Sequence, residues 1–200
     1  MRYQGFVSEV RPIHEHAVDN LRVIREAMER AGAQFTSIPG WGGFAIGWTA
    51  AATAFVARGR EPRQWLMIWL FEAVVAAILG AVSMAMKARG AATPFMSGVA
   101  RRFFVSYTAP MITGALLTVA LYRFGLYDVM PAVWLLCYGT AFVSSGAFSV
   151  PTIPVMGVGF MLLGVATIAA PLSVSNALLG VGFGGLHIVF GFVIARRYGG

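Results

Sequence analysis

The stretch that decides the fold is residues 65–82, which read WLMIWLFEAVVAAILGAV and contain one charged residue, Glu72. An α-helix of this length rises about 27 Å, close to the roughly 30 Å hydrocarbon core of a bilayer. A helix is required there because the backbone polar groups find no water in lipid and must pair within their own segment. The stretch therefore predicts a transmembrane helix over about residues 64–86.

The composition of the whole chain agrees with this interpretation. Of its 200 residues, 58% are apolar and 12% are charged, whereas an ordinary soluble domain has about 25% charged residues. A soluble fold of this size leaves roughly a quarter to a third of its chain surface in water, which is too much for so apolar a chain. The composition excludes a disordered chain, a disulfide scaffold and a nucleic-acid-binding arm, and it favours a polytopic membrane protein.

Five further apolar runs are long enough to form similar helices. None of them shows the strict alternation that a membrane β-barrel strand requires. We therefore predict an all-α, polytopic bundle with a six-helix transmembrane domain over residues 35–200. The six runs cover about residues 35–57, 64–86, 103–123, 129–149, 152–170 and 176–195.

The amino-terminal segment, residues 1–34, carries a helical pattern of another kind. Over residues 13–31, apolar side chains recur every three or four positions, and charged side chains fill the opposite side. The segment holds five acids and five arginines, and this neutrality argues against a purely electrostatic lipid anchor. We predict an amphipathic cytoplasmic or interfacial helix. Its docking site remains open: the bilayer, the bundle or a cytoplasmic protein.

The distribution of basic residues predicts the orientation of the bundle. With six spans, eleven Lys and Arg residues lie on the side of both termini and four lie on the other side. Because basic residues accumulate in cytoplasmic loops, we expect both termini in the cytoplasm and the chain in the bacterial inner (plasma) membrane. Arginines beside anionic lipid headgroups also account for the net charge of +7 without a nucleic-acid partner.

One acid and one histidine fall inside the predicted spans, and both are candidates for a functional site. Glu72 is the only acid there, and His187 is the only histidine. Because an ionised group at the bilayer centre costs several kcal/mol, such residues face the bundle interior and often serve a function. Two interpretations of Glu72 are equally supported. It carries a proton or binds a cation, or it is a carboxyl group that only joins two helices. The two depths differ by roughly 4 Å, which leaves direct contact between Glu72 and His187 open as well.

Small and polar residues predict how the helices pack. One ridge of the last span carries glycines, which allow close helix contact within one chain or in a homo-oligomer. Polar side chains of the third and fourth spans are candidates to line a cavity, although such side chains more often bond to the backbone or to another helix. The glycines are Gly180, Gly184 and Gly191, and the cavity-lining candidates are Tyr107, Tyr138 and Ser144.

No pattern of catalytic or metal-binding residues stands out in the sequence. His14 and His16 point to different sides of their predicted helix, and the hydrolase, metalloprotease and phosphate-loop motifs are missing. We therefore predict no metal and no cofactor, and we favour a non-enzymatic role. Three functions stay open, in order of preference. They are a membrane sensor or partner of a cytoplasmic regulator, a small proton, cation or solute transporter or channel using Glu72 and His187, and an enzyme acting on a lipid or quinone.

Three stretches of the chain resemble a group of small, uncharacterised bacterial six-span membrane proteins. They are residues 24–32 (IREAMERAG), residues 39–43 (PGWGG), and residues 184–191 (GGLHIVFG) followed by Arg196 and Arg197. Such proteins tend to be encoded beside a winged-helix transcription regulator, so the resemblance implies six spans and a regulatory pairing. It implies no particular activity and no site residues.

Overall fold

A computed structural model of the chain describes residues 20–23, 39–90 and 98–198. In these ranges the chain is helical apart from short connections and contains no strand, which confirms the all-α prediction. The chain divides into two units, Met1–Ala31 and Gly32–Gly200. In the first unit only residues 20–23 are described, as exposed helix, and the remainder of the predicted amphipathic helix lies outside the described residues.

The second unit is built from consecutive helices joined by short turns. Positive backbone φ angles at Gly59 (68°) and Gly125 (69°) allow two of these turns to be tight, because glycine adopts such angles without strain. The last helix changes from α to π and back to α without a break. The helices are α1 (Gly40–Val56), α2 (Pro62–Gly90), α3 (Gly98–Arg123), α4 (Met130–Gly146), α5 (Thr152–Ala169), α6 (Ser175–Leu179), a π-helix (Gly180–Leu186) and α7 (His187–Tyr198), with 3-10 turns at Tyr127–Val129 and Leu172–Val174.

Five segments of the described residues are long and apolar enough to cross a membrane, judged by length and composition. They correspond to the second through sixth predicted runs, and they identify the chain as a multi-pass membrane protein. The segments are Pro62–Arg89, Arg101–Arg123, Tyr127–Gly146, Thr152–Ala169 and Leu172–Tyr198. We call the last of them the last span.

The first predicted run, residues 35–57, forms the shorter helix α1. Its 17 residues are one fewer than the 18 of Thr152–Ala169, the shortest membrane-capable segment. Five helices among the described residues are thus membrane-capable, and the sixth predicted span is not confirmed. A sixth span formed by α1, and the cytoplasmic placement of both termini that follows from it, stay predictions.

Close helix contacts organise the bundle in two groups. Helix α4 packs between α3 and α5, while α1 packs between α2 and the last span, and the π-helix of the last span also meets α5. All three predicted ridge glycines face α1. A Cβ atom on Gly191 would lie 2.4 Å from the Phe44 nitrogen, and one on Gly184 would lie 3.0 Å from the Ala51 Cβ. The glycine ridge therefore serves close packing within the chain.

Candidate functional site

Glu72 is buried between α2 and α1, although α2 is largely open around it. Its side chain is 6% exposed, whereas that of the preceding residue, Phe71, is 71% exposed. Thr49 donates a hydrogen bond to Oε1 at 2.7 Å, and Thr53 donates one to Oε2 at 3.1 Å. These threonines are four residues apart and so share one face of α1. The carboxyl group thus joins two helices through hydroxyl groups.

The hydroxyl of Thr49 gives this site two hydrogen-bond patterns. Thr49 Oγ1 lies 2.7 Å from Oε1 of Glu72 and 2.9 Å from the carbonyl oxygen of Ile46, yet a hydroxyl carries a single hydrogen. When Glu72 is ionised, Thr49 donates to the carboxylate. When Glu72 is protonated, its O–H donates to Thr49, which then donates to Ile46. The same oxygen atoms can therefore accommodate the proton or its loss.

In the described part of the chain, no positively charged side chain bonds to the carboxyl group of Glu72. Both hydrogen-bond partners of its carboxyl group are hydroxyls rather than basic side chains. An ionised carboxylate is far more costly to bury without a positive partner than a hydrogen-bonded neutral carboxyl. The described residues also contain no group of three His, Cys, Asp or Glu that could hold a metal ion. Among the described residues, the Glu72 carboxyl group is thus held by hydroxyl groups and not by a charged partner.

A second polar contact fastens α2 to the helices beside it. The side-chain oxygen of Asn176, in the last span, accepts hydrogen bonds from the indole nitrogens of Trp65 (2.9 Å) and Trp69 (3.1 Å). The side-chain nitrogen of Asn176 donates to the carbonyl oxygen of Ala54 at 2.8 Å. Because an amide oxygen accepts two hydrogen bonds, this arrangement satisfies the oxygen of Asn176 in full. The contact holds the beginning of α2 against α1 and the last span.

His187 occupies a separate site, at the junction of the π-helix and α7. Its side chain is 4% exposed, and its Nε2 atom lies 2.8 Å from the hydroxyl of Tyr138. Which of these two atoms donates depends on the tautomer of the imidazole ring. A π-helical turn is rare and frequently marks a functional site. The last span therefore departs from regular α-helical geometry directly before His187.

The other ring nitrogen of His187 has no partner in the described residues. Nδ1 is buried, and no hydrogen bond to a described residue satisfies it. The rings of Phe160 (5.5 Å between centroids) and Phe183 (6.3 Å) enclose the imidazole. His187 thus makes a single firm hydrogen bond inside an aromatic cluster.

The structure does not bring the two ionisable candidates together. Glu72 bonds to threonines of α1, and His187 bonds to Tyr138 of α4, so the direct contact that their depths left open is not formed. The reason lies in the two faces of α1. Its threonines face α2, whereas Ala51 and Ala54 face the glycines of the last span.

The cavity-lining candidates lie in helix contacts. Tyr138 belongs to the aromatic cluster around His187, and the Tyr107 ring lies 6.3 Å from the Tyr138 ring. Ser144 has the carbonyl oxygen of Ser106 at 3.0 Å and that of Ala141 at 3.1 Å as acceptors. Ser144 therefore links α4 to α3 through the backbone, which was the alternative that the sequence left open.

Two parts of these sites were missed by the sequence analysis. Thr49 and Thr53 resemble ordinary small residues of an alanine-rich run, although their spacing of four could have indicated a shared polar face. Asn176 is separated from its two tryptophan partners by 111 and 107 residues. Only tertiary packing brings those groups together, so no local pattern could have indicated the contact.

Comparison with known proteins adds no functional assignment. No family model matches the chain, and neither a curated protein nor a solved structure matches it. The resemblance to small six-span membrane proteins therefore stays a prediction, and the functional argument rests on the residues of the chain itself.

Proposed function

We propose that this chain is a non-enzymatic membrane sensor in which protonation of Glu72 controls the packing of α2 on α1. The observation that carries the proposal is the burial of Glu72 against Thr49 and Thr53, with no basic partner in the described residues. A protonated Glu72 satisfies its hydrogen bonds and keeps α2 docked. Loss of the proton leaves a buried carboxylate, and this favours a state in which α2 shifts and Glu72 reaches water.

Helix α2 is the element best suited to respond. It packs mainly on α1. Only 17% of its 18-residue apolar stretch is buried within the bundle. Its 29 residues rise about 44 Å, which is longer than the roughly 30 Å hydrocarbon core. Its last turn carries Lys87 and Arg89. A displacement near Glu72 is therefore carried along a rigid helix to a polar end outside the hydrocarbon, where a partner can detect it.

The proposed partner is a cytoplasmic regulator that binds residues 1–34. The neutral, amphipathic pattern of that segment supports a protein partner over a purely electrostatic lipid anchor. Deleting residues 1–34 should abolish recovery of the partner in a pull-down, and unchanged recovery would contradict its role. A reporter fused after Gly200 should be active in the cytoplasm, whereas activity only in the periplasm would contradict the proposed orientation in the inner membrane.

The movement of α2 can be tested with spin labels in proteoliposomes. We would place one label at Met86 on α2 and one at Val155 on α5, both of which are exposed, in a Cys137→Ala background. Raising the pH should populate a second distance between the labels. Glu72→Gln, which mimics the protonated carboxyl, should keep the low-pH distance at every pH.

The matched control is Glu61→Gln, which removes an exposed acid just before α2. It should leave the pH response of the label distance unchanged. The sensor proposal is contradicted if Glu72→Gln and the native chain give the same distances across the pH range.

A second candidate function is a small transporter or channel for protons or a hard cation. It is favoured by the oxygen atoms gathered at one place: both carboxylate oxygens of Glu72, the hydroxyls of Thr49 and Thr53, and the carbonyl of Ile46. Such oxygens are the ligands that hard cations prefer. Transport predicts a flux into liposomes that Glu72→Gln abolishes and His187→Ala reduces, whereas the sensor predicts no flux above that of empty liposomes.

A further inference from the structure

A surface groove runs along the contact of α1 and α2. One part of it, of about 520 Å³, is lined by Arg60 and Arg63, and the adjoining part, of about 440 Å³, is lined by Ala52 and Phe71 among others. Met67 and Ile68 line both parts and connect them. We call this feature the α1–α2 groove. Both parts are shallow and open to the surroundings of the helices.

One end of the α1–α2 groove is positively charged. Arg60 is anchored there because its Nε atom donates to the carbonyl oxygen of Val56 at 3.2 Å, which uses one of the five N–H donors of the guanidinium group. Arg63 lies in the first turn of α2, where the helix dipole adds a partial positive charge. No carboxylate is among the described residues that line the groove. This end is complementary to an anion such as a phosphate.

The remainder of the α1–α2 groove is apolar and runs away from the arginines. Arg63, Met67 and Phe71 are spaced four residues apart and therefore follow one side of α2 over about 12 Å. Met67 and Phe71 are 60% and 71% exposed, so their side chains are open to the surroundings of the bundle. A ligand that fits this groove has an anionic head and an apolar tail.

We propose that the α1–α2 groove binds one phospholipid with an anionic headgroup. Its phosphate lies between Arg60 and Arg63, and one acyl chain lies along Met67, Ile68 and Phe71. The charge complementarity at one end distinguishes this site from the lipid-facing surface elsewhere, which offers apolar contact without selection for a headgroup. The inference does not depend on the protonation of Glu72, although Thr53 borders the groove.

The test is native mass spectrometry of the full chain in detergent with dioleoyl phosphatidylglycerol or dioleoyl phosphatidylcholine. The two lipids carry the same acyl chains and differ in headgroup charge. We expect one phosphatidylglycerol to be retained, at least about tenfold more strongly than phosphatidylcholine, because its phosphate offers the two arginines a net negative charge, whereas the choline ammonium of phosphatidylcholine neutralises its phosphate. Equal retention of the two lipids by the native chain would overturn the proposal.

Two variants locate the lipid in the α1–α2 groove. Arg60→Gln with Arg63→Gln should remove the preference for phosphatidylglycerol, whereas the control Arg101→Gln with Arg123→Gln, which removes two exposed arginines elsewhere, should keep it. Equal losses in the two double variants would show a general charge effect and overturn the site.

Ala52→Phe should fill the apolar part of the groove and weaken retention without a change of charge. Unchanged retention in this variant would show that the acyl chain lies elsewhere and would also overturn the proposal. Because Ala52→Phe leaves the arginines intact, it keeps the test decisive if the arginine variants fold poorly.

Discussion

Helices α4 and α2 are both membrane-capable, but they are held in the bundle by different means. In the span that contains α4, half of the 18-residue apolar stretch is buried within the bundle. In α2 the buried share is 17%. Most of the α4 contacts are formed by apolar side chains such as Leu135 and Phe142 and by close backbone approach at Gly139, and Tyr138 and Ser144 add hydrogen bonds. Helix α2 buries apolar side chains only near its beginning, where Trp65 stacks on Trp134, and it depends more on hydrogen bonds to Glu72, Trp65 and Trp69. Apolar packing does not depend on pH, whereas hydrogen bonds to a carboxyl group do.

The largest loss of stability is expected in the shape-packed region. Phe160 on α5 is 0% exposed, and Phe160→Ala should lower the free energy of unfolding by about 3 kcal/mol through the cavity it leaves. The value lies at the low end for such changes because lipid supplies little hydrophobic force between helices. Unfolding by SDS of the protein in mixed micelles measures the change. Phe71→Ala, at an exposed site on α2, is the control and should have little effect.

A smaller loss is expected where the backbones of α4 and α5 touch. A Cβ atom on Gly139 would lie 2.7 Å from the carbonyl oxygen of Gly157 and 2.9 Å from the nitrogen of Met161. Gly139→Ala should therefore cost about 2 kcal/mol in the same unfolding measurement, since backbone atoms cannot move aside cheaply. Gly80→Ala on α2, where the nearest atom is 3.9 Å away, should be tolerated. Equal losses at the two glycines would contradict the contrast between α4 and α2.

The hydrogen bonds that hold α2 should contribute less. Asn176→Ala leaves the indole N–H groups of Trp65 and Trp69 without their acceptor, and both tryptophans are buried. The expected loss is about 1.5 kcal/mol of unfolding free energy. Gln64→Ala removes an amide from an exposed position in the first turn of α2 and should change stability much less. A neutral result for Asn176→Ala would mean that Asn176 does not fasten α2.

The smallest effect is expected at the His187 site. Tyr138→Phe removes the single hydrogen bond to Nε2 of His187 but keeps the ring in the aromatic cluster. Because interhelical hydrogen bonds in membranes average about 0.6 kcal/mol, a loss of that order is expected. Tyr122→Phe, on an exposed tyrosine, is the control. A loss well above that average would indicate that Tyr138 and His187 form part of a larger polar network.

The sequence predicts the membrane helices and their rare ionisable residues, but not the tertiary contacts that hold α2 and α4. Long apolar runs identify membrane helices because composition and length decide whether a segment can cross a bilayer, and five of the six predicted runs reappear as such helices. Glu72 and His187 could be singled out because ionisable residues are rare in spans. Their pairing with Thr49 and Tyr138 could not be predicted, since those partners lie 23 and 49 residues away and are selected by helix packing. The π-helix Gly180–Leu186 likewise left no local signal.

The most direct test of the central claim is an infrared titration of Glu72 in proteoliposomes. A protonated carboxyl group gives a carbonyl stretching band that is separate from the bands of the ionised form, and Glu72→Gln identifies which band belongs to Glu72. The account predicts that this band is present at low pH and is lost as the pH rises, over the same range in which the Met86–Val155 label distance changes. A Glu72 band that is absent at every pH, or one that titrates while the distance stays constant, would contradict it.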